Sequence, residues 1–401
     1  MIFPSARGGL FDAEERGGDP AMGPRGRIVG LVLASLSLLW GVIALSHLGE
    51  KKQPIRIGLS ATLSGRLSEL GISCRQGAHM AVAERNAAGG VLGRPVEMLV
   101  ADDRGTSSGA VSADLGLLRR GVSVIIGHSS SQTTLAAREA LRDRKVLLLG
   151  PYATTELLSG RDDNFVRVSP SFRGSPERMG ESFLRLWGAR RISVAMGEGN
   201  RAFTEDWMRN FEGHLRKLGA SVVRVERVDS LGGTDYESAA RRLTAPRPGA
   251  ILLLTSPLDA ALLAQRLRLG GYRGALGVSV WGMGEALLEN GGGAVEGLLG
   301  VSNFWPDERD STYAGFRRRF LAWTGREPDP VAVLAYEAGR ILLDAMEETG
   351  STDPDRLRAW LSGRTFRGGP SGIFSIDRYG DSIRPPRLFE VRDGILRERI
   401  P

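Results

Sequence analysis

The sequence predicts an α/β protein of two successive lobes, each a doubly wound parallel sheet covered by helices on both faces. Three observations lead there. From Pro54 onward, short β-branched runs alternate with amphipathic segments of 11 to 17 residues, as in βαβ units. The alternation breaks in the loop 169–175 (SPSFRGS) and then restarts, which fits two sheets better than one. The composition of the 401 residues, 42% hydrophobic and 25% charged with 54 Gly and 19 Pro, is that of an ordinary globular chain long enough to bury a sizeable core.

In chain order the expected strands are 55–59, 96–100, 122–126, 146–149, 192–196, 222–225, 251–254 and 276–280. Between them helices are expected at 72–87, 108–119, 134–142, 176–187, 203–218, 236–243 and 258–269. Parallel strands joined by helices need right-handed crossovers, which cover both faces of a sheet. The end of the chain differs: consecutive helices at 312–323, 331–347 and 355–361 precede short strands near 373–376 and 388–391. Such a tail can return to complete both lobes.

The formal net charge of +7 raises the question of nucleic acid, but the basic residues are scattered among nearly as many acids. The longest basic run, Arg317 to Arg319, sits between Phe316 and Phe320, as on the wet face of an amphipathic helix. No nucleic-acid partner is expected. A single cysteine, Cys74, excludes an internal disulfide framework, and the histidines (His47, His79, His128, His214) form no H-x-x-x-H pair, so neither a metal nor any other cofactor is expected.

Residues 28–45 (IVGLVLASLSLLWGVIAL) carry no charge, follow Arg25 and Arg27, and precede Glu50, Lys51 and Lys52. They read either as an export signal, with a small-x-small cleavage site at 44–46, or as a membrane anchor over 28–48. Met22 opens a conventional n-region, so residues 1–27 read as a disordered tail or a start assigned too far upstream. In either case the remainder is expected to be periplasmic or otherwise extracytoplasmic.

In open α/β sheets ligands bind beyond the carboxyl ends of the strands. After Ile126 the chain reads GHSSSQTT, and after Leu149 it reads GPYATTE. Both offer hydroxyl and amide donors at the start of a helix, where a carboxylate is held without an arginine, although Ser and Thr there also serve as plain N-caps. GHSSS lacks the second glycine of G-x-S-x-G, and no P-loop is present. Gly197 to Ala202 matches G-x-G-x-x-A, but Asp229 lies 30 residues beyond Gly199, so a glycine-rich turn into a helix is the better reading.

The run 55–108, with its Ala-Thr-Leu-Ser-Gly loop, the segment AVAERNAAGGVLGR and a strand ending in Asp102-Asp103, resembles the opening of the type I periplasmic solute-binding proteins, the branched-chain amino-acid-binding group of transport receptors. The resemblance implies two lobes joined by hinge strands, with 54–172 plus 303–365 in the first and 173–302 plus 366–401 in the second. It implies a non-enzymatic receptor that delivers a small carboxylate-bearing solute to the permease of an ABC transporter. A membrane-tethered sensory module of the same fold is the alternative.

Carried over position by position, the resemblance puts the carboxylate-holding hydroxyl at Ser131 and the contacts of the next loop at Ala153 and Thr154. Tyr152 then lines the cleft, and Phe203 supplies an aromatic wall from the second lobe, although Phe203, Trp207, Phe211, Leu215 and Leu218 also form a core stripe. Trp281 stands near where amino-acid-binding members place an acid for the ligand's ammonium, and Leu70 where they often have Tyr. Gly105 and Ser130 replace a bracing Cys pair. Asp259 reads mainly as an early-helix dipole partner. Without the acid, free leucine is expected to bind less well than an acid with an apolar body and no amino group.

Overall fold

The computed structural model describes residues 53–229 and 232–399. The expected segments 1–27 and 28–48 lie outside the described residues; among those described, no helix is long and apolar enough to cross a membrane. The first lobe opens with β1 (Ile55–Ala61), α1 (Ser68–Ala87), β2 (Val96–Asp102), α2 (Ser107–Arg119), β3 (Val124–Gly127), α3 (Ser131–Leu141), β4 (Leu147–Gly150) and β5 (Phe165–Arg167). These strands form a parallel sheet in the order β2-β1-β3-β4-β5. Ile57 and Leu59 of β1 are fully buried, and the strand is flanked by β2 and β3, as expected for an apolar run covered on both faces.

The chain then crosses to α4 (Ser175–Trp187), β6 (Arg191–Gly197), α5 (Arg201–Lys217), β7 (Ser221–Val228), α6 (Tyr236–Thr244), β8 (Ala250–Leu254), α7 (Pro257–Leu269), β9 (Ala275–Ser279), α8 (Glu285–Gly291) and β10 (Leu299–Ser302). It returns through α9 (Ser311–Thr324), α10 (Pro330–Thr349), α11 (Pro354–Leu361) and a small antiparallel sheet of β11 (Thr365–Phe366), β12 (Phe374–Ile376) and β13 (Ser382–Ile383). Finally β14 (Arg387–Arg392) and β15 (Ile395–Glu398) complete the second sheet, β15-β14-β10-β9-β8-β6-β7. Its first five strands in sequence are parallel; β14 enters antiparallel, pairing Phe389 with Gly300.

The long helices α1 and α10 belong to the first lobe and pack through small residues. A Cβ on Gly77 would stand 2.1 Å from the Ala332 carbonyl oxygen, and one on Gly339 would stand 2.8 Å from the Ala81 Cβ. Glycine is what lets the helices approach this closely.

The expected strands all form, with ends shifted by up to three residues. Helices α1, α3 and α5 start two to four residues earlier than periodicity suggests, because polar residues supply their first turns. The sequence reading misses β5, β10, β11, β13 and β15, which are two to four residues long. In β10 the sequence Leu-Gly-Val-Ser hides the strand, since Gly300 is needed where the Met283 side chain crosses, its Sδ 2.8 Å from a would-be Cβ. Residues 366–376 also depart from expectation: Phe366, Phe374 and Ile376 pack in the first-lobe core with α10 and α11, and the last return to the second sheet begins at β14.

Three chain segments cross between the lobes, after β5, after β10 and before β14. The carboxamide of Asn303 joins all three. Its Nδ2 donates to the Arg173 carbonyl at 2.8 Å and the Arg384 carbonyl at 3.0 Å, and its Oδ1 is 2.6 Å from the Ser175 hydroxyl. Asn303 is 5% exposed, so its substitution leaves buried groups without partners. Asn303→Ala is expected to lower the unfolding free energy by about 2–4 kcal/mol. Urea denaturation measures it, and a loss below about 0.5 kcal/mol would show that the amide is not what ties the crossings.

Candidate functional site

The carboxyl ends of β1, β2 and β3 face those of β6, β8 and β9 across a cleft. Loops after each of these strands line it: Thr62, Gly105, Ser129 and Ser130 from the first lobe, and Gly199, Asn200, Ser256 and Trp281 from the second. Arg66, Leu67, Glu69 and Leu70, at the start of α1, and Pro257 and Leu258, at the start of α7, complete the wall. The space between these residues is about 510 Å3 including its open mouth.

One wall is polar. Thr62 donates through Oγ1 to Asp103 Oδ1 at 2.7 Å, and its amide donates to the Ser129 hydroxyl at 3.3 Å. Ser130 caps α3 by accepting the Thr133 amide at 3.2 Å. Hydroxyls and a helix N-terminus are thereby concentrated at one end, where a carboxylate is stabilised. The opposing surface is apolar: Leu67, Leu70, Pro257, Leu258 and the Trp281 ring.

Two charged side chains line the cleft. Arg66 reaches from the first lobe to the second, where its Nη2 donates to Asp259 Oδ1 at 3.0 Å and to the Tyr236 hydroxyl at 2.7 Å. Tyr236 in turn donates to Asp259 at 2.6 Å, and burial together with that acceptor raises its phenol well above the usual range. Asp259 has no exposed side-chain surface, and Ser256 donates to its second oxygen at 2.7 Å. Arg66 and Asp259 therefore neutralise each other. Among the described residues Glu69 has no such ion pair: burial first, then the nearby Asp329 and Glu285, raise its carboxyl pKa, opposed by the Ala286 amide and more weakly by Arg326. Its Oε1 lies beside the second-lobe loop, 3.5 Å from where a Cβ on Gly284 would stand.

Further bonds close the rims. Asn200 Oδ1 accepts the Gln132 amide at 3.1 Å while Gln132 Oε1 accepts the Arg201 amide at 3.0 Å. Asp206 accepts from the Thr155 hydroxyl at 2.7 Å and the Glu156 amide at 2.9 Å. The Gly197 to Ala202 motif thus ends as a turn whose Gly199 and Asn200 form cleft wall.

The residues singled out from sequence fall at different depths. Trp281, 5% exposed, lines the cleft. Phe203 lies outside the lining and packs edge-on behind Trp281, ring centroids 6.2 Å apart, with Phe172 on its other side at 5.7 Å. Its helical stripe is core, as the alternative reading of that stripe had it. Ser131 is turned inward, its Oγ accepting the Thr155 amide at 3.3 Å, and Ser129 and Ser130 take its place at the wall. Tyr152 and Thr154 line a separate, smaller space of about 250 Å3 near the hinge, where the Tyr152 hydroxyl donates to the Val280 carbonyl at 3.3 Å. The Ala153 amide and carbonyl are taken by Ser169 and Arg167 of its own lobe. Arg66, Glu69, Asn200 and Ser256 are cleft residues that sequence reasoning missed. The signal available for Glu69 was an acid in the first turn of a helix, which reads as an ordinary dipole partner.

Two α/β lobes, a tied three-segment hinge and a cleft lined from both sides define a class: proteins that enclose a small solute between closing lobes. A family model described as "Periplasmic binding protein" matches residues 54–394, and the chain belongs to that family, with the type I fold. Similar proteins include a Leu/Ile/Val-binding protein homolog of Brucella abortus, 23% identical over 86% of this chain and 92% of that one. The leucine-, isoleucine-, valine-, threonine- and alanine-binding protein of Pseudomonas aeruginosa is 24% identical over 82% and 87%. Among solved structures, a leucine-binding protein of Thermotoga maritima superposes with a TM-score of 0.78 at 26% identity, covering 86% of this chain and 98% of that one. A solute-binding protein from R. palustris in complex with benzoate gives 0.78 at 19% identity, covering 86% and 95%. The chain is a non-enzymatic, extracytoplasmic solute-binding receptor.

Because Arg66 bonds across the cleft and keeps 29% of its side chain exposed, its contribution is to closure more than to folding. Arg66→Ala is expected to leave the melting temperature within about 2 °C and to weaken solute binding about 3- to 10-fold. Calorimetric titration beside a thermal melt tests this; unchanged affinity would contradict it.

Proposed function

We propose that the protein delivers an apolar amino acid to the permease of an ABC transporter. The observation that carries the reading is the pairing, in one cleft, of a hydroxyl- and amide-rich wall with an apolar wall and one uncompensated carboxyl. The solute's carboxylate meets Ser129, Ser130 and the loops at Thr62 and Gly105, its ammonium meets Glu69, and its side chain lies against Trp281, Leu67, Leu70, Pro257 and Leu258.

The expectation that leucine binds poorly rested on the lack of an acid near Trp281. Glu69 supplies a carboxyl from the opposite lobe beside that same loop, at Gly284 and Ala286, and so removes the reason for it. With Arg66 already neutralised by Asp259, a solute that is only an anion would add to the charge of Glu69, whereas a zwitterion offsets it. The names of the relatives, a Leu/Ile/Val-binding protein homolog in Brucella and a leucine-, isoleucine-, valine-, threonine- and alanine-binding protein in Pseudomonas, agree with this reading.

The test is calorimetric titration with L-leucine and L-isoleucine beside 4-methylpentanoate and benzoate. The amino acids should bind at least about tenfold tighter, the scale of one charge-assisted hydrogen bond. Tighter binding of benzoate or the des-amino acid would overturn the ammonium assignment. Transport is tested separately: deletion of the gene should abolish uptake of the tight-binding solute, and unchanged uptake would count against the delivery role.

A pH dependence follows from Glu69. Protonation removes the ammonium's partner, so affinity should fall as pH drops through the raised pKa of that carboxyl. Glu69→Gln should bind about tenfold more weakly at neutral pH and lose the acid-side fall. An acid-side fall that persists unchanged in Glu69→Gln would assign it to another group.

A further inference from the structure

Beneath the polar wall lies a buried cluster outside the lining of the cleft. His128, with no exposed surface, sits between two carboxylates that are equally buried: Nδ1 is 2.7 Å from Asp103 Oδ2, and Nε2 is 3.1 Å from Asp114 Oδ2. A carboxylate only accepts hydrogen bonds, so an acceptor on each ring nitrogen calls for a proton on each. Asp114 Oδ1 has no hydrogen-bond partner among the described residues, so this carboxylate serves the imidazole alone.

Asp103 looks the other way as well. Its Oδ1 accepts from the Thr62 hydroxyl at 2.7 Å and the Gly105 amide at 2.8 Å, and both residues line the cleft. One carboxylate thus joins the loops after β1 and β2, and through His128 the loop after β3, whose next residue, Ser129, accepts the Thr62 amide at 3.3 Å.

We propose that His128 is carried as an imidazolium and acts as a positioning residue: its Nδ1–H donates to Asp103 and pins that carboxylate, and through it the Thr62 and Gly105 segments that receive the solute. The position of this wall rests on the receptor reading, but the charge state of the ring does not. Burial alone would lower the pKa of His128, and Asp114 and Asp103 outweigh it and raise it to about 9. From α1 the other titratable group against Asp103 is the Cys74 thiol, which burial, Asp103 and Asp329 hold far above neutral pH, so it stays uncharged. Stability contributed by the imidazolium is complete below the ordinary histidine pKa and is lost as pH rises through about 9.

Two substitutions separate charge from shape. Asp114→Asn places an amide donor opposite Nε2 and lets a neutral ring still donate from Nδ1 to Asp103. His128→Leu removes the donor to Asp103 altogether, and His128→Ala, which also lacks a donor, is the fallback should the leucine variant not fold. The full-length protein labelled with 15N is measured by long-range histidine NMR, and hydrogen exchange is followed in 60–66 and 103–107 without added solute. The expected result is a doubly protonated His128 at pH 7.5 in the wild type and a neutral ring in Asp114→Asn. Exchange in the two segments should be unchanged within about twofold in Asp114→Asn and at least about tenfold faster in His128→Leu or His128→Ala, with β6 to β9 unaffected. A neutral wild-type ring at pH 7.5 would overturn the charge assignment, and unchanged exchange in the His128 variants would overturn the positioning role. L-leucine and benzoate then serve as binding probes: loss of affinity in step with faster exchange supports the proposal, and full affinity despite loosened segments contradicts it. If neither probe binds wild type, the receptor reading of these solutes fails while the NMR result still decides the charge.

Discussion

Three strands of chain pass between the lobes, and the Asn303 carboxamide holds them at one place by bonding to Arg173, Ser175 and Arg384. That tie turns two separately folded sheets into a jaw. Opening and closing then reduce to rotation about a fixed line, with the lobes also in contact through polar bonds such as Arg66 to Asp259 and Thr155 to Asp206 and through Leu67 and Leu70 packed on the second-lobe core. Hinge motion of this kind needs residues that absorb torsion while the lobes stay rigid. The lobes supply rigidity through close-packed cores, including the glycine-mediated contact of α1 with α10.

Within the cleft the arrangement of charge matters more than its amount. Arg66 is offset by Asp259, which lies fully buried on the facing lobe, so this pair favours closure without marking the space as anionic or cationic. Glu69 is left with an amide and a distant guanidinium, a poor substitute for the water it gives up on burial. A solute that brings a cation to it and an anion to the hydroxyl wall satisfies both ends at once. Behind that wall, His128 with its two carboxylates replaces solvation that the loops after β1, β2 and β3 would otherwise lose.

Much of this was legible in the sequence. Apolar strands between amphipathic helices name the fold wherever both faces are buried, and the break at 169–175 falls at the first crossing. Of the two hydroxyl-rich loops to which the sequence pointed, the one after β3 lines this cleft and the one after β4 lines the smaller space by the hinge. What failed was the choice of side chain within a loop, which depends on where a helix begins: α3 starts at Ser131, so that residue turns inward and Ser129 and Ser130 stay at the surface of the cleft. Phe203 failed for a related reason, since only its distance behind Trp281 separates a ligand wall from a second layer. Arg66, Glu69 and Asp259 were hidden because their roles arise between lobes, where 193 residues of chain separate Arg66 from its acceptor and no local pattern records the meeting.

The account's central claim is that one cleft holds both ends of a zwitterion between the lobes. The structure of the protein with L-leucine bound tests it most directly. The account predicts the solute's carboxylate against Ser129 and Ser130, its nitrogen within hydrogen-bond distance of a Glu69 oxygen, and its side chain on Trp281. A solute bound with its carboxylate in the hinge-side space by Tyr152 and Thr154, or with its nitrogen turned away from Glu69, would contradict it.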